Sequence, residues 1–229
     1  MNIKPILKEN DWSTIIEVAN KGKAQNYWKV GDEMNLVLYG KYNETVTLQI
    51  WDFNHFDKSD GSGKANICFG MKHLMKDKEF MNPFYFNTGG WNDSYMRNII
   101  MKNIFNSMPT ELRNGIKEVD TYANIGGESS SSSQGLLSKD KVFIPGVTEV
   151  GDKWDDQNQT ETGQKKLPIF SNDSSRIKKL NNGNGLTEWW WTRSPYYIYD
   201  TCFCRFNADG VCGVNSADLS CGVCFCFNI

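Results

Sequence analysis

Six of the seven cysteines in this 229-residue chain fall within its last 28 residues: Cys202, Cys204, Cys212, Cys221, Cys224 and Cys226. Cys68 stands alone upstream. Such a cluster must be a disulfide framework, a metal site or a set of free thiols, and each choice constrains the fold differently. Bridges need an oxidising compartment. The N-terminus, Met1-Asn2-Ile3-Lys4-Pro5-Ile6-Leu7-Lys8-Glu9, lacks the apolar run and small-residue cleavage site of a secretory signal. The expectation is a chain made in a reducing cytoplasm, and an odd number of cysteines also fits full pairing poorly.

Apolar residues make up only 39% of the chain while aromatics reach 13%, so the core should rest on large rings. The net charge of −2 argues against a general nucleic-acid binder, which needs a cationic surface to displace counterions. No run approaches 18 apolar residues, so no membrane insertion is expected. The length suits a single domain over 1–229, with an N-terminal helix and hairpin portion over 1–55.

Asp11 to Ala19 reads as an opening helix capped by Asp11, with Trp12, Ile15, Ile16 and Val18 apolar. Met34 to Tyr39 and Thr45 to Phe53 read as a strand pair around the loop Gly40-Lys41-Tyr42-Asn43, with Val46, Leu48 and Ile50 on one face. Ala65 to Gly70 suits a further strand. After Gly89-Gly90, Asp93 or Ser94 can cap a helix whose stripe is Met96, Ile99, Ile100, Ile104 and Phe105. A second short helix starts near Pro109, with Leu112 and Ile116 inward. Gly126 to Gly135 is a serine-rich loop expected to be mobile, and Asp152 to Asn184 is long, polar and aperiodic. The tail alternates in short strands over Thr201 to Phe206, Val211 to Asn215 and Gly222 to Ile229, with Asn207-Ala208-Asp209-Gly210 as a hairpin turn. The sum is an α+β fold: two helices beside a loop-rich, mostly antiparallel sheet.

The tail also has a restricted alphabet. Residues 196–229 contain no Lys, Glu, Gln, Met or Trp, although these five types supply 53 of the first 195 residues. These are the types that no codon ending in C encodes. Asn codons whose two adenines are rewritten would yield Cys, Tyr, Phe, Asp, Ile, Gly, Ser, Val and Leu, and never those five.

Several motifs carry a resemblance. Gly90-Trp91-Asn92-Asp93-Ser94-Tyr95-Met96-Arg97, Pro109-Thr110-Glu111-Leu112, Lys141-Val142-Phe143-Ile144-Pro145 with Glu149-Val150, Trp190-Trp191-Thr192-Arg193-Ser194-Pro195, Gly210 and Gly222-Val223 occur in that order. Together they resemble a bacterial and phage domain family of C-type-lectin-like fold. Its members are frequently the variable proteins of diversity-generating retroelements, in which an error-prone reverse transcriptase rewrites adenines at the 3′ end of the gene. The resemblance implies a non-enzymatic, ligand- or receptor-binding protein without a cofactor, on a phage tail or a bacterial surface. Its partner would be a protein or glycan receptor on a target cell, and homo-oligomers are compatible with it. The variable region would be 196–226, with Tyr196, Tyr197, Ile198, Tyr199, Asp200, Cys202, Cys204, Cys212, Asn215, Asp218, Leu219 and Cys221 as the ligand-binding positions. Phe203, Phe206, Ala217 and Val223 match the fixed framework and should point inward. Cys224 and Cys226 depart from the family's usual "GVRP.F" ending.

Rival readings remain on the same residues. Cys202-x-Cys204 and Cys221-x-x-Cys224-x-Cys226 could supply thiolates to zinc, in a zinc-stabilised domain or a metal-dependent enzyme. A purely structural virion protein is a third reading. Tyr196, Tyr197 and Tyr199 suit a contact surface, giving large area with few rotatable bonds. One or two of Trp189, Trp190 and Trp191 should wedge the core, and Arg193 should clamp loop carbonyls or a carboxylate. Trp91-Asn92-Asp93 and Asp57-Lys58-Ser59-Asp60-Gly61 lack the companion residues of a calcium site. Neither His55 nor His73 sits in a triad pattern.

Overall fold

The computed structural model describes residues 2–127, 135–151 and 164–229. It is a mixed helix-and-sheet protein with antiparallel sheets. Helix α1 spans Trp12–Asn20, and Asp11 caps it by accepting the backbone N–H of Thr14 at 2.8 Å. Strands β1 (Glu33–Leu38) and β2 (Glu44–Phe53) form the expected hairpin, with Val46, Leu48 and Ile50 buried.

The main sheet has five strands in the order β1-β2-β3-β12-β7, where β3 is Ile67–Met71, β7 is Val142–Phe143 and β12 is Cys226–Asn228. The last strand of the chain therefore lies between two others, and every pairing in this sheet is antiparallel. A second sheet, in the order β10-β9-β8, joins Trp190–Pro195 (β8), Cys202–Phe206 (β9) and Cys212–Ser216 (β10). Two further pairs complete the framework. Glu79–Phe80 (β4) pairs with Ser220–Cys221 (β11), and Val119–Ala123 (β5) pairs with Leu136–Asp140 (β6).

The core is aromatic, as the composition requires. Trp51 of β2 meets Phe170 edge-on at 5.1 Å, Phe170 stacks on Trp190 at 6.2 Å, and Trp190 stacks on Phe206 at 5.0 Å. This column ties the two larger sheets together. The Lys178 ammonium enters it, 5.5–5.8 Å from the rings of Trp51, Phe170 and Trp190. It donates to the carbonyls of Met71 at 2.8 Å and Lys72 at 3.2 Å. A buried cation persists because ring faces and carbonyl oxygens replace its water. Gly70 of β3 makes room for the column, since a Cβ there would lie 2.1 Å from the Trp51 ring.

The second helical region differs from the sequence expectation. A short helix α2 (Gly90–Asp93) ends at Ser94, whose hydroxyl then accepts the N–H of Arg97 at 3.1 Å. Ser94, not Asp93, makes this cap. The next turn, Met96–Met101, is π-helical and continues as α3 (Lys102–Ser107). A wider turn shifts the phase of the apolar stripe. Ile99 is therefore exposed while Met101 is buried beside Met96, Ile100 and Ile104. Helix α4 (Thr110–Gly115) turns Leu112 inward, with Ile116 buried just past its end. Among the described residues no helix is long and apolar enough to cross a membrane. The serine-rich loop and the first part of the long polar segment, residues 128–134 and 152–163, lie outside the described residues. The remainder of that segment is partly ordered around Asp173–Arg176 and buries Leu167, Phe170 and Lys178.

Candidate functional site

Several of the sequence motifs converge on one clamp. Arg193 of β8 is fully buried and holds the Glu149 carboxylate through both terminal nitrogens, at 2.7 and 2.5 Å. It also donates to the carbonyls of Tyr122 at 3.0 Å and Ile144 at 3.2 Å, and to the Gln164 side chain. Beside it, the Ser194 hydroxyl accepts the N–H of Val147 at 3.0 Å, and the Arg193 N–H donates to the Pro145 carbonyl at 3.0 Å. The Arg-Ser-Pro run thus fastens the 144–149 turn to the small sheet. Arg193 is the structural clamp expected of it.

Above this clamp the tail leaves β8 and forms a loop over 196–201. Its anchor is Asn87, which sequence reasoning missed. The Asn87 side-chain nitrogen donates to the carbonyls of Tyr196 (3.3 Å), Tyr199 (2.8 Å) and Cys202 (2.7 Å). Its backbone N–H donates to the Asp200 carbonyl at 2.6 Å, and its side-chain oxygen accepts the N–H of Gly127 at 2.8 Å. A few residues earlier, the N–H groups of Met81 and Asn82 both donate to the Ala217 carbonyl at 2.9 Å. The 79–87 segment therefore carries both tail loops, 196–201 and 217–219.

The tail residues partition sharply. Phe203, Phe206, Ala217 and Val223 are completely buried, as the framework assignment expected. Ile198, Tyr199 and Leu219 are exposed at 43%, 55% and 51%, and Asp218 is exposed as well. Asp200, Cys202 and Asn215 are half-buried. The other five candidate contact positions are not displayed. Tyr196 and Tyr197 are buried, packed edge-on to each other at 5.3 Å beneath Tyr199, which lies 5.5 Å from Tyr196. Cys204 and Cys212 are buried in the β9–β10 hairpin, opposite Val214 and Phe206. Cys221 is buried opposite Glu79 in the β4–β11 pair. The expectation of Cys204, Cys212 and Cys221 as ligand-binding positions is corrected accordingly: of the six tail cysteines only Cys202 reaches solvent, and that in part.

The adjoining 83–86 bend carries Phe84, Tyr85 and Phe86, all exposed, with the Tyr85 and Phe86 rings 4.2 Å apart. The Phe86 carbonyl accepts from the Asn82 side chain at 2.7 Å, which fixes this bend beside the tail. The run Pro83-Phe84-Tyr85-Phe86 was the available sequence signal. Six large apolar side chains thus project from adjoining loops, where exposed apolar area is the type of feature that interaction surfaces use. Of the three consecutive tryptophans, Trp190 and Trp191 are core, and Trp189 is 42% exposed with the Arg205 guanidinium 3.8 Å over its ring.

Among the described residues, no three His, Cys, Asp or Glu side chains group around a common centre. Cys224 and Cys226 point their sulfurs at the carbonyls of Met71 (3.7 Å) and Phe143 (3.4 Å), and Cys221 accepts from the Asn215 amide at 3.4 Å. None of the seven is in a disulfide.

Fold and site together define an antiparallel α+β domain with a loop-borne apolar face over an aromatic core. The chain belongs to the family described as a domain of unknown function, DUF6273, whose family model matches residues 68–229. The matched part begins inside β3, so α1 and the β1–β2 hairpin lie outside it. No curated protein and no solved structure matches the chain.

Proposed function

We propose that this chain is a binding protein of C-type-lectin-like fold, the variable protein of a diversity-generating retroelement, which contacts its target through the tail loops and the 83–86 bend. The carrying observation is the partition of the tail. A restricted set of residue types covers 196–229, and within it the framework residues are buried while Ile198, Tyr199, Asp218 and Leu219 stand on anchored loops. Such an arrangement lets surface chemistry change over an unchanged core. The placement of the last strand inside the main sheet, with a small second sheet carrying the tail loops, is compatible with the proposed fold.

Tyr199, Ile198 and Leu219 would give apolar area, joined by Phe84, Tyr85 and Phe86, and Asp200, Asn215 and Asp218 would give directed hydrogen bonds. A few of the aromatics would dominate the binding energy. A receptor of protein or glycan type on a target cell, met from a phage tail or a bacterial surface, fits this mode. The zinc-dependent alternative finds no grouped thiols among the described residues to support it.

Burial sharpens the proposal. Positions free to vary without repacking the core are Ile198, Tyr199, Asp200, Cys202, Asn215, Asp218 and Leu219, whereas Tyr196, Tyr197, Cys204, Cys212 and Cys221 should tolerate fewer types. Sequencing sibling genes and the neighbouring locus tests this. Differences concentrated at the first group, with a reverse transcriptase and template repeat nearby, are expected. Differences scattered over residues 1–195 would overturn the proposal.

A further inference from the structure

A second site lies outside the tail face. The π-helical turn Met96–Met101, the start of α3 and the β6–β7 corner enclose a cavity of about 350 Å³. Its apolar lining comes from Met101 and Val142, both buried, and from the half-buried ring of Phe105. One wall is a closed ion pair. Arg97 donates through Nε to Asp140 at 2.7 Å, and through its other nitrogens to the carbonyls of Lys139 (3.2 Å) and Asn92 (3.3 Å). Asp140 also accepts from the Trp91 indole at 2.9 Å and the Thr121 hydroxyl at 2.7 Å. This pair is neutral as a unit.

The charge left over is positive. Lys102, Lys139 and Lys141 line the cavity and form no ion pair among the described residues, and Glu118 is the one remaining acid of the lining. The Lys141 ammonium lies 5.4 Å over the Phe105 ring, at the boundary between apolar floor and charged rim. An uncompensated cationic rim on a chain of net charge −2 is a local field, not a bulk property. Low-dielectric walls focus such a field into the cleft. The volume falls at the lower end of the range for small-molecule sites.

We infer that this cavity binds a small organic anion, a carboxylate or phosphate carried on an apolar skeleton. The lysine rim takes the oxyanion, and Met101, Phe105 and Val142 take the skeleton. The inference does not rest on the proposed role of the tail, and its failure leaves that role untouched.

An amide-resolved NMR titration of the full chain tests it, with benzoate, phenyl phosphate, the neutral isostere benzamide, and acetate. Benzoate or phenyl phosphate should shift the amides of 101–106 and 139–142 saturably, and which of the two binds tighter identifies the oxyanion. Affinity should exceed that for benzamide and acetate by about tenfold, equivalent to about 1.4 kcal/mol. It should weaken as salt is added. The double variant Lys139→Ala/Lys141→Ala should lose the binding with its amide spectrum otherwise kept, and Glu118→Gln should tighten it. Equal response to benzamide and benzoate, saturable shifts confined to other surfaces, no saturable shift at all, or indifference to both variants would each overturn the inference.

Discussion

Arg193 shows how much one buried charge can organise. It is fully buried against an equally buried Glu149 and meets two further carbonyls. Removing one partner strands the other charge in low dielectric, so Arg193→Met should lower stability by about 3–5 kcal/mol in urea denaturation. Arg193→Met/Glu149→Met should recover most of the loss, and a double-mutant cycle measures the coupling. The opposite case is Tyr199, more than half exposed. Tyr199→Ala should change stability by no more than about 0.5 kcal/mol, whereas Phe203→Ala in the same tail should cost about 3–5 kcal/mol.

The buried thiols give a pH signature. Burial pushes the thiols of Cys68, Cys221, Cys224 and Cys226 above their ordinary value of 9.0. Above that pH the unfolded chain releases these protons while the folded chain keeps them. Each contribution is therefore whole below pH 9 and declines as pH rises. Lys178 acts in reverse, because burial pulls its amine below 10.5 and the folded chain sheds that proton first. One amine opposes four thiols, so urea midpoints should fall above about pH 9, and Cys226→Ala should flatten that fall.

At the scale of elements, the tail loops depend on a side chain over a hundred residues away. Asn87→Ala would leave the carbonyls of Tyr196, Tyr199 and Cys202 without this donor. We expect a loss of about 2–3 kcal/mol and faster amide exchange across 196–202, read by hydrogen-exchange mass spectrometry. Elements built from neighbouring residues were legible beforehand. Asp11 followed by Trp12, Ile15 and Val18 specified α1, and the alternation of Val46, Leu48 and Ile50 around a short loop specified the β1–β2 hairpin. Asn207-Ala208-Asp209-Gly210 likewise read as a turn, and Gly210 adopts φ +84° there, where a Cβ would lie 2.6 Å from the Asp173 carbonyl. Ile99 failed because a π turn, invisible to a 3.6-residue period, rotates it outward.

At the scale of the whole molecule, the chain's end is structural. Strand β12 separates β3 from β7, and the N–H groups of Asn66 and Ile67 donate to the Ile229 carbonyl at 2.8 and 3.0 Å. Deleting residues 226–229 should therefore abolish cooperative unfolding and near-ultraviolet circular dichroism, not merely fray a terminus. The tail loops are bounded by this strand on one side and by the Arg193 clamp on the other, so the variation we propose would be confined between two fixed points.

By itself the sequence determined the α+β class, the ring-based core, the local hairpins, the clamp role of Arg193 and the framework positions Phe203, Phe206, Ala217 and Val223. The class, the core and the hairpins follow from composition and short-range periodicity, the clamp role from the guanidinium's fork of donors, and the framework positions from the resemblance that the motifs carry. Only the tertiary structure decided which tail residues face water, because Tyr196 and Tyr197 are chemically as suited to a surface as Tyr199. Their burial depends on which loop lies above them, and that loop is set by Asn87. The same holds for the thiols: five of the six tail cysteines are buried, and for Cys221 and Cys226 this depends on pairing with strands far away in the chain. The lysine-rimmed cavity was equally out of reach, since it joins residues 97–106, 118 and 139–142 across a phase shift that no local pattern encodes.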